Sequence, residues 1–163
     1  MSPTRTALLQ QIPVFDGATK DTINIISELS NTVTLKEGKY FFHENDPAAS
    51  FYVIDCGKVA ILKNWNGFDR QIKTLKAGQC FGEMSLLDLR LRSASVKALE
   101  DCTVLEIPTS ALYEVRKHNL EEFALIQANM GRIVSQKLRE TSLKLFRAKM
   151  EGFLADEDLY IAV

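Results

Sequence analysis

Apolar residues near the start of the chain recur at the three- to four-residue spacing of an amphipathic helix. One face of the segment TKDTINIISELS carries Ile23, Ile26 and Leu29, and Thr19 or Asp21 can cap its first turn. We therefore predict that residues 1–30 form N-terminal helices.

From residue 31 to residue 107 the pattern changes to short runs rich in β-branched and aromatic residues. These runs are TVTLK, KYFFHE, SFYVIDC, KVAILKNW, RQIKTLKA, SASVKALE and CTVLEIP. Glycines and the Asn-Asp-Pro at 45–47 stand between them as turn signals, and Asn66-Gly67 predicts a two-residue hairpin turn. Many short strands with frequent turns indicate a β-sandwich or β-barrel.

Helical spacing returns after Pro108 and predicts C-terminal helices over residues 108–150, followed by an acidic tail at 151–163. The longer helix carries apolar residues along its whole length: Phe123, Ile126, Met130, Ile133, Val134, Leu138, Leu145, Phe146 and Met150. A helix of about 30 residues is about 45 Å long and outreaches a small β-domain. We therefore expect a homodimer formed through this helix.

Composition narrows the function classes. A chain of 163 residues with a net charge of −1 is long enough for one domain and gives no global signal for nucleic acid. The three cysteines are widely spaced and the two histidines are far apart, without the spacing of metal ligands, so we expect no metal centre. With no signal-peptide pattern and no apolar stretch of membrane-spanning length, we expect a cytoplasmic protein without a membrane partner.

The segment FGEMSLLDLRLRSASV, residues 81–96, carries the most specific chemistry. Gly82 lets backbone approach a ligand closely, and the helical turn that begins near Glu83 presents unpaired N–H groups to an anion. Arg92 can add a charge-assisted fork to the same anion, and Ser93 a hydroxyl. A carboxylate such as Glu83 beside an anion site fits a sugar hydroxyl next to a phosphate, as in a nucleotide.

This segment resembles the phosphate-binding cassette of the cyclic nucleotide-binding domains found in catabolite activator proteins and cAMP-dependent kinase regulatory subunits. FGEMSLLDLRLRSASVKA has the same F-G-E start, the same apolar turn and an arginine nine residues after the glutamate. KEGKYFFHENDPAASFYVIDCGKVAIL and LKAGQCFGE resemble the preceding parts of that family, and the likeness covers about residues 14–135. It departs at DLRL, where the family often has glycine or proline and where a second arginine, Arg90, could replace Arg92 as the phosphate ligand.

The resemblance implies a mainly β fold, an eight-stranded antiparallel β-roll (jelly-roll-like) with N-terminal helices and a long C-terminal helix. It implies that Glu83 accepts a hydrogen bond from the ribose 2′-hydroxyl and that Arg92 binds the exocyclic phosphate oxygen. The residues that it places at the ligand are Gly82, Glu83, Met84, Ser85, Arg92 and Ser93.

These observations predict a single-domain sensor, residues 1–163, that binds a cyclic nucleotide without converting it, with cAMP favoured and cGMP as the other candidate. The family's transcription factors carry a helix-turn-helix after the long helix, and this chain has no such segment, so we expect no DNA partner. A sensor of this kind also predicts a downstream protein partner. The alternative is a degenerate β-roll that serves only dimerisation or protein interaction.

Overall fold

The structure, a computed structural model, describes residues 5–160, and of residues 153–160 it describes the backbone alone. The chain divides into two compact units, Met1–Met130 and Gly131–Val163. The first contains the helices and strands described below up to the early turns of the last helix, and the second contains the remainder of that helix.

The N-terminal region is helical, as predicted. It consists of α1 (Arg5–Gln10), a 3₁₀ turn (Pro13–Phe15) and α2 (Lys20–Leu29). Thr19 is the N-cap of α2, and its hydroxyl accepts a hydrogen bond from the backbone N–H of Thr22.

Eight antiparallel strands follow, which confirms the predicted β-roll. They are β1 (Asn31–Leu35), β2 (Tyr40–Phe42), β3 (Ser50–Cys56), β4 (Lys58–Trp65), β5 (Phe68–Lys76), β6 (Cys80–Phe81), β7 (Ser95–Ala98) and β8 (Cys102–Pro108). A short helix, α3 (Met84–Asp88), lies between β6 and β7. The residue pattern alone indicated seven of these strands, because β6 has two residues and cannot show a periodicity.

The strands form two four-stranded sheets, with the orders β1-β8-β3-β6 and β2-β7-β4-β5. The β4–β5 hairpin turns at Asn66 and Gly67, whose φ angles of 52° and 83° are the positive pair that a two-residue turn of this kind requires. The facing surfaces of the two sheets enclose a core of buried apolar residues. Its members are Tyr52, Ile54, Val59, Leu75, Phe81, Val96, Ala98, Cys102 and Val104.

Two helices complete the fold, α4 (Thr109–His118) and α5 (Leu120–Tyr160). α4 begins at Thr109, whose hydroxyl donates to the carbonyl of Ala49. The side chain of Asn119 accepts hydrogen bonds from the N–H groups of Glu121 and Glu122 at the start of α5.

The last helix is longer than predicted. Its backbone remains helical through Tyr160, whereas we expected it to end at residue 150 and give way to a tail over 151–163. The stretch after Gly152 contains no proline, and one glycine costs a helix only about 1 kcal/mol, which does not by itself end it. Residues 161–163 lie outside the described residues.

Candidate functional site

The 81–96 segment leaves the roll through β6 and turns sharply twice. Gly82 has a φ of 84°, which directs the chain from β6 into the helical turn of α3. Leu89 ends α3 in the left-handed region, with φ 56° and ψ 34°. Glycine adopts this conformation most easily. In the DLRL sequence a leucine therefore occupies a turn position that ordinarily favours glycine.

Gly82 lies against the side chain of Arg92. A Cβ atom added to Gly82 would lie 2.6 Å from Nη1 of Arg92 and 3.6 Å from its Cζ. The absence of a side chain at position 82 is therefore what allows the guanidinium to occupy its place.

Arg92 is buried, with 3% of its surface exposed. Its Nη1 donates to the carbonyl of Gly82 at 3.0 Å and its Nη2 to the carbonyl of Ser50 at 2.7 Å. The guanidinium lies over the ring of Phe42, with Cζ 4.0 Å from the ring centroid. Nε is buried and has no hydrogen-bond partner among the described residues, which is unusual for a charged group.

Burial dominates the electrostatics of this arginine. It lowers the pKa of the Arg92 guanidinium below its usual value, while nearby acidic groups, Glu106 and Glu83 among them, act in the opposite direction. Arginine remains charged at neutral pH in spite of such a shift. The interior of the roll therefore holds a cation with one donor unsatisfied.

Glu83 lies beside this cation and is also buried, with 2% exposed. It occupies the N-cap position of α3, but its side chain makes no capping hydrogen bond. The role of a structural cap, which is the ordinary explanation for a carboxylate at a helix start, does not apply to Glu83.

Comparison with known families identifies the fold. The profile of the cyclic nucleotide-binding domain matches residues 32–119, more than half of the chain. The chain belongs to the cyclic nucleotide-binding domain family.

Curated relatives of this chain include both bacterial and fungal proteins. It is 28% identical over 134 residues to the cyclic AMP receptor protein of Thermus thermophilus, a match that covers 82% of this chain and 60% of that protein. It is 32% identical over 103 residues to a cAMP-dependent protein kinase regulatory subunit of Hypocrea atroviridis, which covers 63% of this chain and 21% of that protein. The matches thus span less than two thirds of the length of these relatives.

Solved structures show the same fold. A cyclic nucleotide-binding domain from Methylobacillus flagellatus superimposes with a TM-score of 0.76 at 19% identity, covering 88% of this chain and 81% of that one. The catabolite activator protein of Thermus thermophilus gives a TM-score of 0.70 at 28% identity, covering 82% and 61%. The regulatory domain of Toxoplasma gondii PKA, crystallised with cAMP, gives 0.68 at 19% identity, covering 81% and 49%.

The structure brings most of the predicted site residues of this cyclic nucleotide-binding domain to one end of the roll. Gly82, Glu83 and Arg92 converge as described, and Ser85 is buried with its hydroxyl donating to the carbonyl of Leu91 at 3.3 Å. Because that hydroxyl is already hydrogen-bonded within the loop, Ser85 can contact a ligand through its backbone groups. The side chain of Met84 is 43% exposed.

Ser93 follows Arg92 but is exposed, and its carbonyl accepts a hydrogen bond from Lys63 at 2.8 Å. Ser95, two residues later, is buried, and its hydroxyl accepts from the backbone N–H of Glu44. The hydroxyl of Ser95 thus holds the start of β7 against the backbone at Glu44. The role of Ser93 towards a ligand stays a prediction.

The two arginines of the segment lie in different environments. Arg90 is exposed, and its backbone N–H donates to the side chain of Asp88. Arg92 is fixed through its own backbone, because its N–H donates to the carbonyl of Asp46 and its carbonyl accepts from the N–H of Asn45, both at 2.9 Å. This backbone pairing aims the side chain of Arg92, and not that of Arg90, into the roll.

Three residues of the site were not indicated by the sequence. Phe42, Ser50 and Tyr52 surround the Arg92 guanidinium, Phe42 and Tyr52 through their rings and Ser50 through its carbonyl. The signal that could have suggested two of them is that Ser50 and Tyr52 are hydroxyl-bearing residues on the same face of β3.

Two further findings bear on the class of protein. No group of three or more histidine, cysteine, aspartate or glutamate side chains is placed to hold a metal ion within the part of the chain that the structure describes. Among residues 5–160, none of the helices combines the length and the apolar character that a membrane span requires.

Proposed function

We propose that this protein binds a 3′,5′-cyclic nucleotide as a regulatory sensor and does not convert it chemically. The observation that carries the proposal is the buried guanidinium of Arg92, which has an unpaired Nε–H beside Gly82 and Glu83. A buried, unsatisfied cationic donor costs free energy unless a ligand completes it, and a phosphate is the natural acceptor for an arginine.

Each site residue then has a separate task. Arg92 supplies charge to the cyclic phosphate, and Glu83 accepts a hydrogen bond from the ribose 2′-hydroxyl. The backbone from Gly82 to Ser85 contributes N–H groups, since the first N–H groups of a helix have no partners within the helix. Ser93 is proposed to add a hydroxyl next to the phosphate.

The choice between cAMP and cGMP is the finer part of the proposal. We favour cAMP, since two relatives carry cyclic AMP in their names and one structural neighbour was crystallised with it. Calorimetric titration with cAMP, cGMP, 2′-deoxy-cAMP and 5′-AMP tests the whole proposal. We expect a micromolar dissociation constant for the preferred cyclic nucleotide, about −8 kcal/mol, and weaker binding of the 2′-deoxy and the open-ring compounds.

The alternative function makes the opposite prediction for this titration. If the roll serves only assembly, neither cyclic nucleotide gives a heat of binding even at about 1 mM, where a ligand of −4 kcal/mol would still be half bound. That result would leave the family membership intact and remove the sensor role.

We also propose that the protein is a homodimer through α5. Leu138, Leu145 and Phe146 are 66%, 57% and 59% exposed, although a helix of 41 residues ordinarily buries its large apolar side chains. By contrast Ile126 and Met130, earlier in the helix, are fully buried within one chain. Light scattering after size exclusion should give twice 18.4 kDa, and Leu145→Glu should shift the mass to the monomer. A monomeric wild-type protein at tens of micromolar would contradict this proposal.

A further inference from the structure

One carboxylate faces the same end of the roll as the ligand site but was not assigned to it. Glu106 lies in β8 directly opposite Tyr52 of β3. Glu106 is half-buried, and Val104, two residues earlier on the same face of the strand, is 0% exposed. An ionisable group in such a place needs hydrogen-bond partners to offset its desolvation.

Two hydroxyl groups provide these partners. Oε1 of Glu106 accepts from the hydroxyl of Ser50 at 2.9 Å and from the hydroxyl of Tyr52 at 3.2 Å, and the two hydroxyls are themselves 3.2 Å apart. Burial raises the pKa of the Tyr52 hydroxyl, and the Glu106 carboxylate adds to that rise. The tyrosine therefore stays protonated and remains a donor to Glu106.

Both hydroxyl-bearing residues also contact the guanidinium of Arg92. The carbonyl of Ser50 accepts from Nη2 at 2.7 Å, and the ring of Tyr52 has its centroid 5.8 Å from Cζ. Tyr52 in turn stacks on Phe81, with centroids 5.0 Å apart. Glu106 thus fixes two of the groups that determine where the guanidinium lies, although no hydrogen bond of its own to Arg92 is needed for this.

We propose that Glu106 is a positioning residue for the ligand-binding arginine, acting through Ser50 and Tyr52. This inference rests on the proposed function, because it assigns Glu106 to the same phosphate site. Holding Ser50 by its hydroxyl and Tyr52 by its phenol keeps the guanidinium oriented before the ligand arrives, so that no binding free energy is used to order it.

The test compares Glu106→Ala and Glu106→Gln with the control Glu100→Ala. Glutamine keeps an acceptor for the two hydroxyls, whereas alanine removes it. Glu100 is an exposed carboxylate of the same β7–β8 turn region, paired with Lys58 at 3.7 Å, so its loss changes the net charge equally without touching the network. Two readouts are measured on each variant: the cAMP dissociation constant, and the Nε–H NMR signal of Arg92 in the ligand-free protein, assigned by its loss in Arg92→Lys.

We expect Glu106→Ala to weaken cAMP binding about three- to tenfold, the range for one hydrogen bond, and to broaden or shift the Arg92 signal. Glu106→Gln and Glu100→Ala should stay within about twofold of wild type, which is the scatter expected of a surface substitution. If Glu106→Ala does not fold, Tyr52→Phe, which loses only the hydroxyl, should give the same two changes in smaller measure.

Two results would overturn the proposal. One is an unchanged Arg92 signal in both Glu106→Ala and Tyr52→Phe. The other is a glutamine variant as defective as the alanine variant, which would make charge and not hydrogen bonding the cause. If the wild-type protein binds no cyclic nucleotide, the proposed function fails, and the ligand-free NMR signal still decides whether Glu106 positions Arg92.

Discussion

Gly82→Ala should weaken ligand binding by more than its effect on the stability of the fold explains. The substitution places a methyl group 2.6 Å from Nη1 of Arg92, a distance that real Cβ atoms essentially never show. The guanidinium cannot give way freely, because it is buried over Phe42 and hydrogen-bonded to two carbonyls. We expect it to shift and to lose its bond to the Gly82 carbonyl.

The magnitude follows from two costs. A non-glycine residue at a φ of 84° costs roughly 1–2 kcal/mol of folding free energy. Loss of a hydrogen bond to a charged group costs a further ~1.5–3 kcal/mol, which corresponds to about 10- to 150-fold in affinity if it falls on the bound state. Gly78→Ala is the matched control, because Gly78 has the same φ of 84° and no atom within 4 Å of an added Cβ.

Chemical denaturation and calorimetric titration with cAMP should be performed on both variants. We expect the strained backbone to lower the free energy of unfolding of both variants. Gly82→Ala alone should also bind cAMP at least about tenfold more weakly, which is the smallest effect of a lost charge-assisted hydrogen bond. If Gly82→Ala binds cAMP as tightly as Gly78→Ala does, the contact between position 82 and Arg92 is unimportant for the ligand and our account of the site is wrong.

Three other predictions can be checked with the same assays. Arg92→Ala should lower cAMP affinity by about tenfold or more, whereas Arg90→Ala, which removes an exposed side chain, should change it less than about twofold; the reverse order would move the phosphate ligand to Arg90. Glu83→Gln should weaken cAMP about tenfold but leave 2′-deoxy-cAMP unchanged, since only the former has the hydroxyl that Glu83 is proposed to bind; equal losses would contradict that role. Leu89→Gly should raise the free energy of unfolding by about 0.5–1 kcal/mol, because Leu89 has a φ of 56° and is 87% exposed, and no gain in a urea titration would show that the strain is absent.

Much of the fold was predictable because it depends on local patterns. β3, β4 and β8 begin and end where the apolar runs SFYVIDC, KVAILKNW and CTVLEIP begin and end. The hairpin at Asn66-Gly67 was predictable because few residues other than these adopt two successive positive φ angles. The pairing of β1 with β8, whose members are about 70 residues apart in the chain, was not predictable from any local pattern.

The end of α5 shows the limit of local signals. Gly152 and the acidic residues after it indicated a tail, but the backbone remains helical to Tyr160. Glycine and aspartate lower helix propensity without removing any hydrogen bond, whereas proline does remove one. A composition change is therefore a weaker boundary signal than a proline.

The order of helices and strands, β6 apart, is encoded in local residue patterns. So are the residue types at the site, a glycine, a carboxylate and an arginine at a spacing that a known family shares. Which arginine enters the roll depends instead on long-range packing, because the backbone of Arg92 is held by pairing with the loop at Asn45 and Asp46. Tertiary packing also places Glu106 behind the site, since Ser50, its partner, is 56 residues away in the chain. Hydrogen bonds between residues so distant in the chain exist only once the two sheets have packed, and no periodicity along the sequence records them.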